Sequence, residues 1–322
     1  MKGTIIMKNF GISIYDNSAF NTDKIKRESI SPEEALKVFD FKVVKEQDFR
    51  PNGTPITDHY HLVRKFDEND EGVVIGTGVG KEFNVDSQPI DALRFMINEI
   101  LPEVPGLKIE TVAATRDGAT TFANFQFGTP WKLQNDTSEH TTRLMYVNPL
   151  CQGSIKILSH ELRIACMNTL NRAEKIGTGF KIPHTINSKF YVQAALEAIH
   201  KEIKAAKELE DKIIVLDNIK ISSKNIEDIL NGVYPIKKDK NDEDCTRTVN
   251  MRNAVMEQFE SDKTFLDKTG WSFLNAMTYN VQHPKMTGKR DANKVEIDNI
   301  IGPRATLKAK MLDETLKVLC IA

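Results

Sequence analysis

Arg163 and Cys166 stand three residues apart, and the amide of Asn168 and the hydroxyl of Thr169 follow at once. A guanidinium beside a thiol lowers the thiol pKa and makes it a nucleophile. That chemistry also needs a base, and the neighbourhood offers only His160 and Glu161. Without a base at a telling spacing, the same residues serve structure. Cys166 then fills a core, while Asn168 and Thr169 bond backbone groups where a strand gives way to a helix. Ligand contact stays open beside that role, and catalysis is the weakest of the three.

Positive charge gathers around this stretch. Between residues 154 and 190 lie Lys156, Arg163, Arg172, Lys175, Lys181 and Lys189, against only Glu161 and Glu174. Gly177-Thr178-Gly179-Phe180-Lys181 reads as a flexible basic loop with one aromatic. Such loops suit phosphate contact and base stacking, the latter worth about 1–3 kcal/mol per base. An ordinary solvated surface has the same composition, so both alternatives stand. A second basic stretch holds Lys285, Lys289, Arg290, Lys294, Arg304, Lys308 and Lys310, and either extends the track or keeps a loop soluble. His59 and His61 share a strand face at a spacing metal ligands use, but no third ligand is identifiable. Trp131 and Trp271 read as core residues, and Tyr279 and His283, one helical turn apart, form a candidate polar pair.

These side chains need a scaffold, and composition bounds it. The chain has 322 residues, 40% of them hydrophobic and 28% charged, enough for a large core under a soluble surface. The net charge of −1 excludes a protein that is basic as a whole, but binding follows the local field. No apolar run reaches the roughly 18 residues of a membrane helix, and the first residues lack a signal-type apolar stretch. A cytoplasmic setting is expected. Cys151, Cys166, Cys245 and Cys320 are scattered without a Cys-x-x-Cys pair, as reduced and mostly buried thiols would be.

Pattern then supplies the elements. Ser31-Pro32-Glu33-Glu34 predicts a capped helix start. An edge strand is expected at 10–15. Alternation predicts a strand over 58–66, and the glycine-punctuated run 72–79 a second one with bulges. An amphipathic helix follows from Ser87-Gln88-Pro89 to Leu101. Strands over 107–115 and 120–127 flank Asp117-Gly118, a hairpin signal. Further strands are expected at 142–147 and 154–158, with helix taking over near Leu162. Asn187 or Ser188 caps a long helix, and shorter helices fit 223–231, 249–261, 270–281 and 305–319. The fold class is α+β: an antiparallel or mixed sheet with packed helices, then a helical C-terminal part. Residues 1–29 form an irregular segment, 30–185 an α+β core domain and 186–322 a mainly helical region.

Several segments resemble one family in order. They are Glu33-Glu34-Ala35-Leu36 with Phe39–Val43, Gly78-Val79-Gly80-Lys81-Glu82-Phe83, Arg163–Leu170, His184-Thr185, and Gly270–Tyr279 with His283. The family is the phage/plasmid-like domain of unknown function 932, and its motif positions here are Arg163, Cys166, Asn168, Thr169, Trp271, Asn275 and Tyr279. The family's His-Asp-Gly-Ser turn reads Cys151-Gln152-Gly153-Ser154 here, so no metal or acid–base role carries over. The resemblance implies a mobile-element origin and a bias toward phage DNA metabolism. The plan of strands then helices is also similar to single-strand annealing proteins, at fold level only.

The expected function is therefore nucleic-acid binding, as a single-stranded DNA binding and annealing factor in phage replication or recombination. It would act as a cytoplasmic homo-oligomer, with no cofactor, metal, membrane or bond-making step. Lys156, Arg163, Arg172, Lys175 and Lys181 are the expected contacts. The rival is a host-takeover or counter-defence protein acting through protein contacts.

Overall fold

The computed structural model describes residues 10–13, 29–67, 69–83, 85, 88–150, 154–163, 168–170, 180–183, 192–236, 238, 245–283 and 302–321. The first helix, α1 (Pro32–Val38), begins as its sequence dictates. The Ser31 hydroxyl accepts the Glu34 backbone N–H at 3.2 Å, and the Glu34 carboxylate accepts the Ser31 N–H at 3.2 Å. This reciprocal cap satisfies two donors that a helix start leaves open. Three antiparallel strands follow in the order β2-β3-β4: β2 (Lys42–Phe49), β3 (Pro55–Lys65) and β4 (Val73–Val79). The β3–β4 register slips on either side of Leu62, and Gly78 sits at φ 71°, so the glycine run makes the bulges its composition predicts.

Helix α2 (Pro89–Phe95) continues as a π turn over Met96–Ile100. Gln88 precedes it without capping it. Its amide instead accepts the Val43 N–H at 2.7 Å and donates to the Val43 carbonyl at 3.0 Å, extending the ladder of β2 by one side chain.

The larger sheet has seven strands. In chain order they are β1 (Phe10–Ser13), β5 (Lys108–Thr115), β6 (Thr120–Lys132), β7 (Glu139–Pro149), β8 (Ser154–Arg163), β9 (Asn168–Leu170) and β10 (Phe180–Pro183). Its order is β1-β5-β6-β7-β8-β10, with β9 also pairing β8. The β5–β6 hairpin turns through Asp117 at φ 58° and Gly118 at φ 101°. Asp tolerates the left-handed region and Gly adopts it freely, which is why this dipeptide signals a turn. A bulge between Ile109 and Thr111 leaves Glu110 without a register partner, and its buried carboxylate takes the Arg143 guanidinium.

Two expectations about local structure are corrected. Residues 168–170 are not the start of a helix: Leu162 pairs Thr169 and Arg163 pairs Asn168 in an antiparallel ladder. Phe180 and Lys181 are strand rather than loop, opposite Ile157 and Lys156. Strands of three and four residues have too little pattern to read, and β8 supplies the open edge that fixes them.

The helices are α3 (Val192–Asn218), α4 (Ser223–Val233), α5 (Thr246–Ser261), α6 (Gly270–Gln282) and α7 (Pro303–Val318). The expected caps at Asn187 or Ser188 lie outside the described residues. The fold is α+β, with helices dominating the C-terminal region. Among the described residues no helix is long and apolar enough to cross a membrane.

The chain divides into two compact units, one of residues 1–128, 143–158 and 179–202, the other of 129–142, 159–178 and 203–322. In the first, Phe39, Leu62, Leu93, Ile100, Phe122 and Phe125 are fully buried. In the second, one hydrophobic cluster joins Ile213, Leu216, Ile229, Val255, Phe273, Met277 and Met311. Phe259 and Phe273 meet edge to face at 5.2 Å, a contact worth about 0.5–1.5 kcal/mol beyond their burial.

Candidate functional site

The residues singled out by sequence do not form one described cluster. Lys156, half-buried on β8, is the register partner of Lys181 on β10. Arg163 closes β8 opposite Asn168, and Thr169 opposes Leu162. Cys166, Arg172 and Lys175 lie outside the described residues, as do Lys285, Lys289, Arg290 and Lys294. Lys308 serves neither a track nor a loop. It is fully buried in α7 and donates to the Gln282 amide oxygen at 2.8 Å. Of the cysteines, Cys245 is half-buried and Cys320 exposed, so neither is the buried thiol expected. His61 bonds Asp48 at 2.7 Å and lies 3.5 Å from Glu46. Among the described residues no group of three metal-ligating side chains converges. His160 and Glu161 are both buried, and Glu161 accepts the Thr142 hydroxyl at 3.0 Å, a structural setting in the interior.

The second unit contains a buried polar node that sequence patterns do not announce. The Asp136 carboxylate accepts the Trp271 indole N–H at 3.1 Å and the Ser138 backbone N–H at 3.0 Å, and His140 Nε2 hydrogen-bonds it at 3.2 Å. Trp131 stacks on the His140 ring at 4.6 Å, and Trp271 lies 5.6 Å from the same ring. Asp217, next to this node, accepts the Asn135 N–H at 2.9 Å. Burial raises the Asp217 pKa, and the neighbouring Asp136 raises it further. Asp136, His140 and Trp271 are all at most 3% exposed, so the node is closed to solvent. Its work is positional: it anchors Trp271 at the first turn of α6. Asn275 then bonds the Trp271 carbonyl at 3.0 Å within the core. Trp271 and Asn275 are therefore structural, as expected for Trp271.

Two turns beyond Trp271, α6 reaches the surface at Tyr279. Here a cleft of about 1000 Å³ opens between α5, α6 and the first turns of α7. One stripe of α5 lines it: Arg247, Asn250, Ala254, Glu257 and Ser261, spaced as one helix face. Tyr279 and His283 line it with their rings 4.6 Å apart, the pair expected from their spacing. Tyr234 forms part of the wall, and burial pushes its hydroxyl pKa up to about 12, so it stays neutral. Arg252 holds this wall in place, donating to the Tyr234 carbonyl at 2.8 Å and the Asn231 side chain at 2.7 Å.

The cleft carries Arg247 and Arg304 against one carboxylate, Glu257. Arg304 donates to the Val281 carbonyl at 3.1 Å. Arg247 is exposed and makes no ion pair with any described carboxylate. Cations, aromatic rings and amides in one concave surface can hold an anionic ligand with flat apolar faces and polar edges. Sequence reasoning reached Tyr279, His283 and Arg304 but missed Arg247 and Asn250. Their signal was the polar stripe on α5, which reads equally well as a solvated face until α6 and α7 are packed beside it.

A family described as a domain of unknown function (DUF932) matches residues 77–301, from β4 to just before α7. Comparison with curated proteins and with solved structures gives no significant match.

Proposed function

We propose that this chain, which belongs to the DUF932 family, binds single-stranded nucleic acid through the α5–α6–α7 cleft. The observation that carries this is the uncommitted Arg247 facing the same concave surface as the Tyr279–His283 ring pair. Cationic side chains hold the phosphates and release counterions, while unpaired bases stack on aromatic rings. A duplex keeps its base faces covered and offers only its backbone, so the cleft favours an unpaired strand. On the first unit, Lys156 and Lys181 are register partners on β8 and β10, and both belong to the same proposal as backbone contacts.

In a phage or plasmid setting this activity amounts to holding strands with their bases exposed for annealing, in replication or recombination in the cytoplasm. Arg163, Arg172 and Lys175 belong to the same proposal as backbone contacts. Fluorescence anisotropy with a labelled single strand at low salt tests it. Binding that Arg247→Gln weakens several-fold supports it. No binding up to about 100 µM protein, the weak end of non-specific association, rejects it. A stoichiometric host protein that survives nuclease treatment would instead favour the host-takeover alternative.

A further inference from the structure

We infer that the cleft prefers bases carrying an exocyclic amino group, and that Asn280 makes the distinction; this rests on the single-strand proposal above. The Asn280 amide is held in one orientation. Its Nδ2 donates to the Ala276 carbonyl of its own helix at 3.0 Å and to the Ala254 carbonyl of α5 at 3.3 Å. Turning the amide over would set its oxygen against two carbonyl oxygens, so nitrogen and oxygen are distinguished by their surroundings. Both donor hydrogens are thereby committed to backbone. No described group donates to Oδ1, so an acceptor is what Asn280, half-buried in the cleft lining, has to offer a ligand.

A fixed, partly desolvated acceptor discriminates by sign. A ligand that brings an N–H gains a hydrogen bond, and one that brings an oxygen leaves two acceptors facing each other. Cytosine and uracil are the matched pair for this test. They have nearly the same shape, but the amino group of cytosine is a carbonyl in uracil. Uracil keeps one ring N–H, flanked by two carbonyl oxygens that repel the same acceptor. Tyr279 and His283, their rings 4.6 Å apart and tilted by 43°, line the same cleft as Asn280, so a base held in the cleft against either ring is within the surface that the amide also lines. Arg247, on the facing helix, is the phosphate contact and reads no base.

The test is anisotropy of the full chain with short homopolymers of deoxycytidine and deoxyuridine of equal length and charge, so that phosphate contributions cancel. The deoxycytidine strand is expected to bind roughly three- to tenfold tighter, the value of one hydrogen bond. Asn280→Ala brings that ratio to near one. Because Asn280 also ties α5 to α6, a change on the ligand side gives an independent check with the unaltered protein. A strand of pyrimidinone nucleosides, which lack the amino group but add no oxygen, is expected to lose most of the advantage. Arg247→Gln weakens all strands alike and leaves the ratio unchanged. Equal binding of the deoxycytidine and deoxyuridine strands overturns this inference while leaving single-strand binding intact. Binding of no strand overturns the single-strand proposal itself.

Discussion

Removing the Asp136 carboxylate tests whether the buried node anchors α6. Asp136→Ala withdraws an acceptor from the Trp271 indole at 3.1 Å, from the Ser138 N–H at 3.0 Å and from His140 at 3.2 Å, all in the interior. Leaving buried donors of this kind without their acceptor costs about 1–3 kcal/mol each. Trp271→Phe deletes only the indole donor and some volume, and a hydrogen bond to a charged group is worth about 1.5–3 kcal/mol. The double variant should therefore be less destabilised than the sum of the two, by about 1.5–3 kcal/mol. Urea unfolding followed by tryptophan fluorescence is the assay. The chain has two tryptophans, Trp131 and Trp271, and both lie against His140, so the signal reports this unit. With a slope of about 2 kcal/mol per molar urea, a 3 kcal/mol loss moves the midpoint by about 1.5 M. Additivity within about 0.5 kcal/mol would refute the idea that the carboxylate and the indole act as a pair.

Other expectations follow from the same structure. Gly118→Ala should cost about 1–3 kcal/mol in thermal unfolding, because its φ of 101° is strained for any side chain. The added methyl would also lie 3.0 Å from the Arg64 side chain, and a wild-type melting temperature would contradict this. Burial holds the folded-state pKa of Asp217 above its unfolded value, so the folded state keeps its proton longer as pH rises. That contribution is favourable at low pH and is lost as pH climbs from the ordinary aspartate range through the raised value. Urea midpoints over a pH series should show Asp217→Asn flattening this decline, and an unchanged pH slope would remove Asp217 as its source.

What the sequence made legible was local. Ser31 and Glu34 announce α1 because a capping box needs only four residues. Asp117-Gly118 announces the β5–β6 hairpin because the turn needs two residues that accept positive φ. Strand β9 was not legible, since three residues paired to β8 owe their conformation to the partner. The Asp136 node was hidden for another reason. Its members come from residues 131 to 140 and from α6, and only tertiary packing brings an aspartate to a tryptophan 135 positions away. Lys308 misled because lysine ordinarily marks a surface, whereas here the Gln282 oxygen receives its ammonium in the interior. In the cleft, Tyr279 and His283 were readable as neighbours on one helix. Arg247 was not, because the opposing helix decides whether a polar stripe faces water or a cavity.

The central claim is that an unpaired strand occupies the α5–α6–α7 cleft with a phosphate at Arg247. Salt titration of single-strand binding, for the wild type and Arg247→Gln, tests it most directly. The account predicts that log affinity falls linearly with log salt and that the slope drops by about 0.7 when one phosphate contact is lost. A wild-type chain that binds no single strand, or a variant with an unchanged slope, would contradict it.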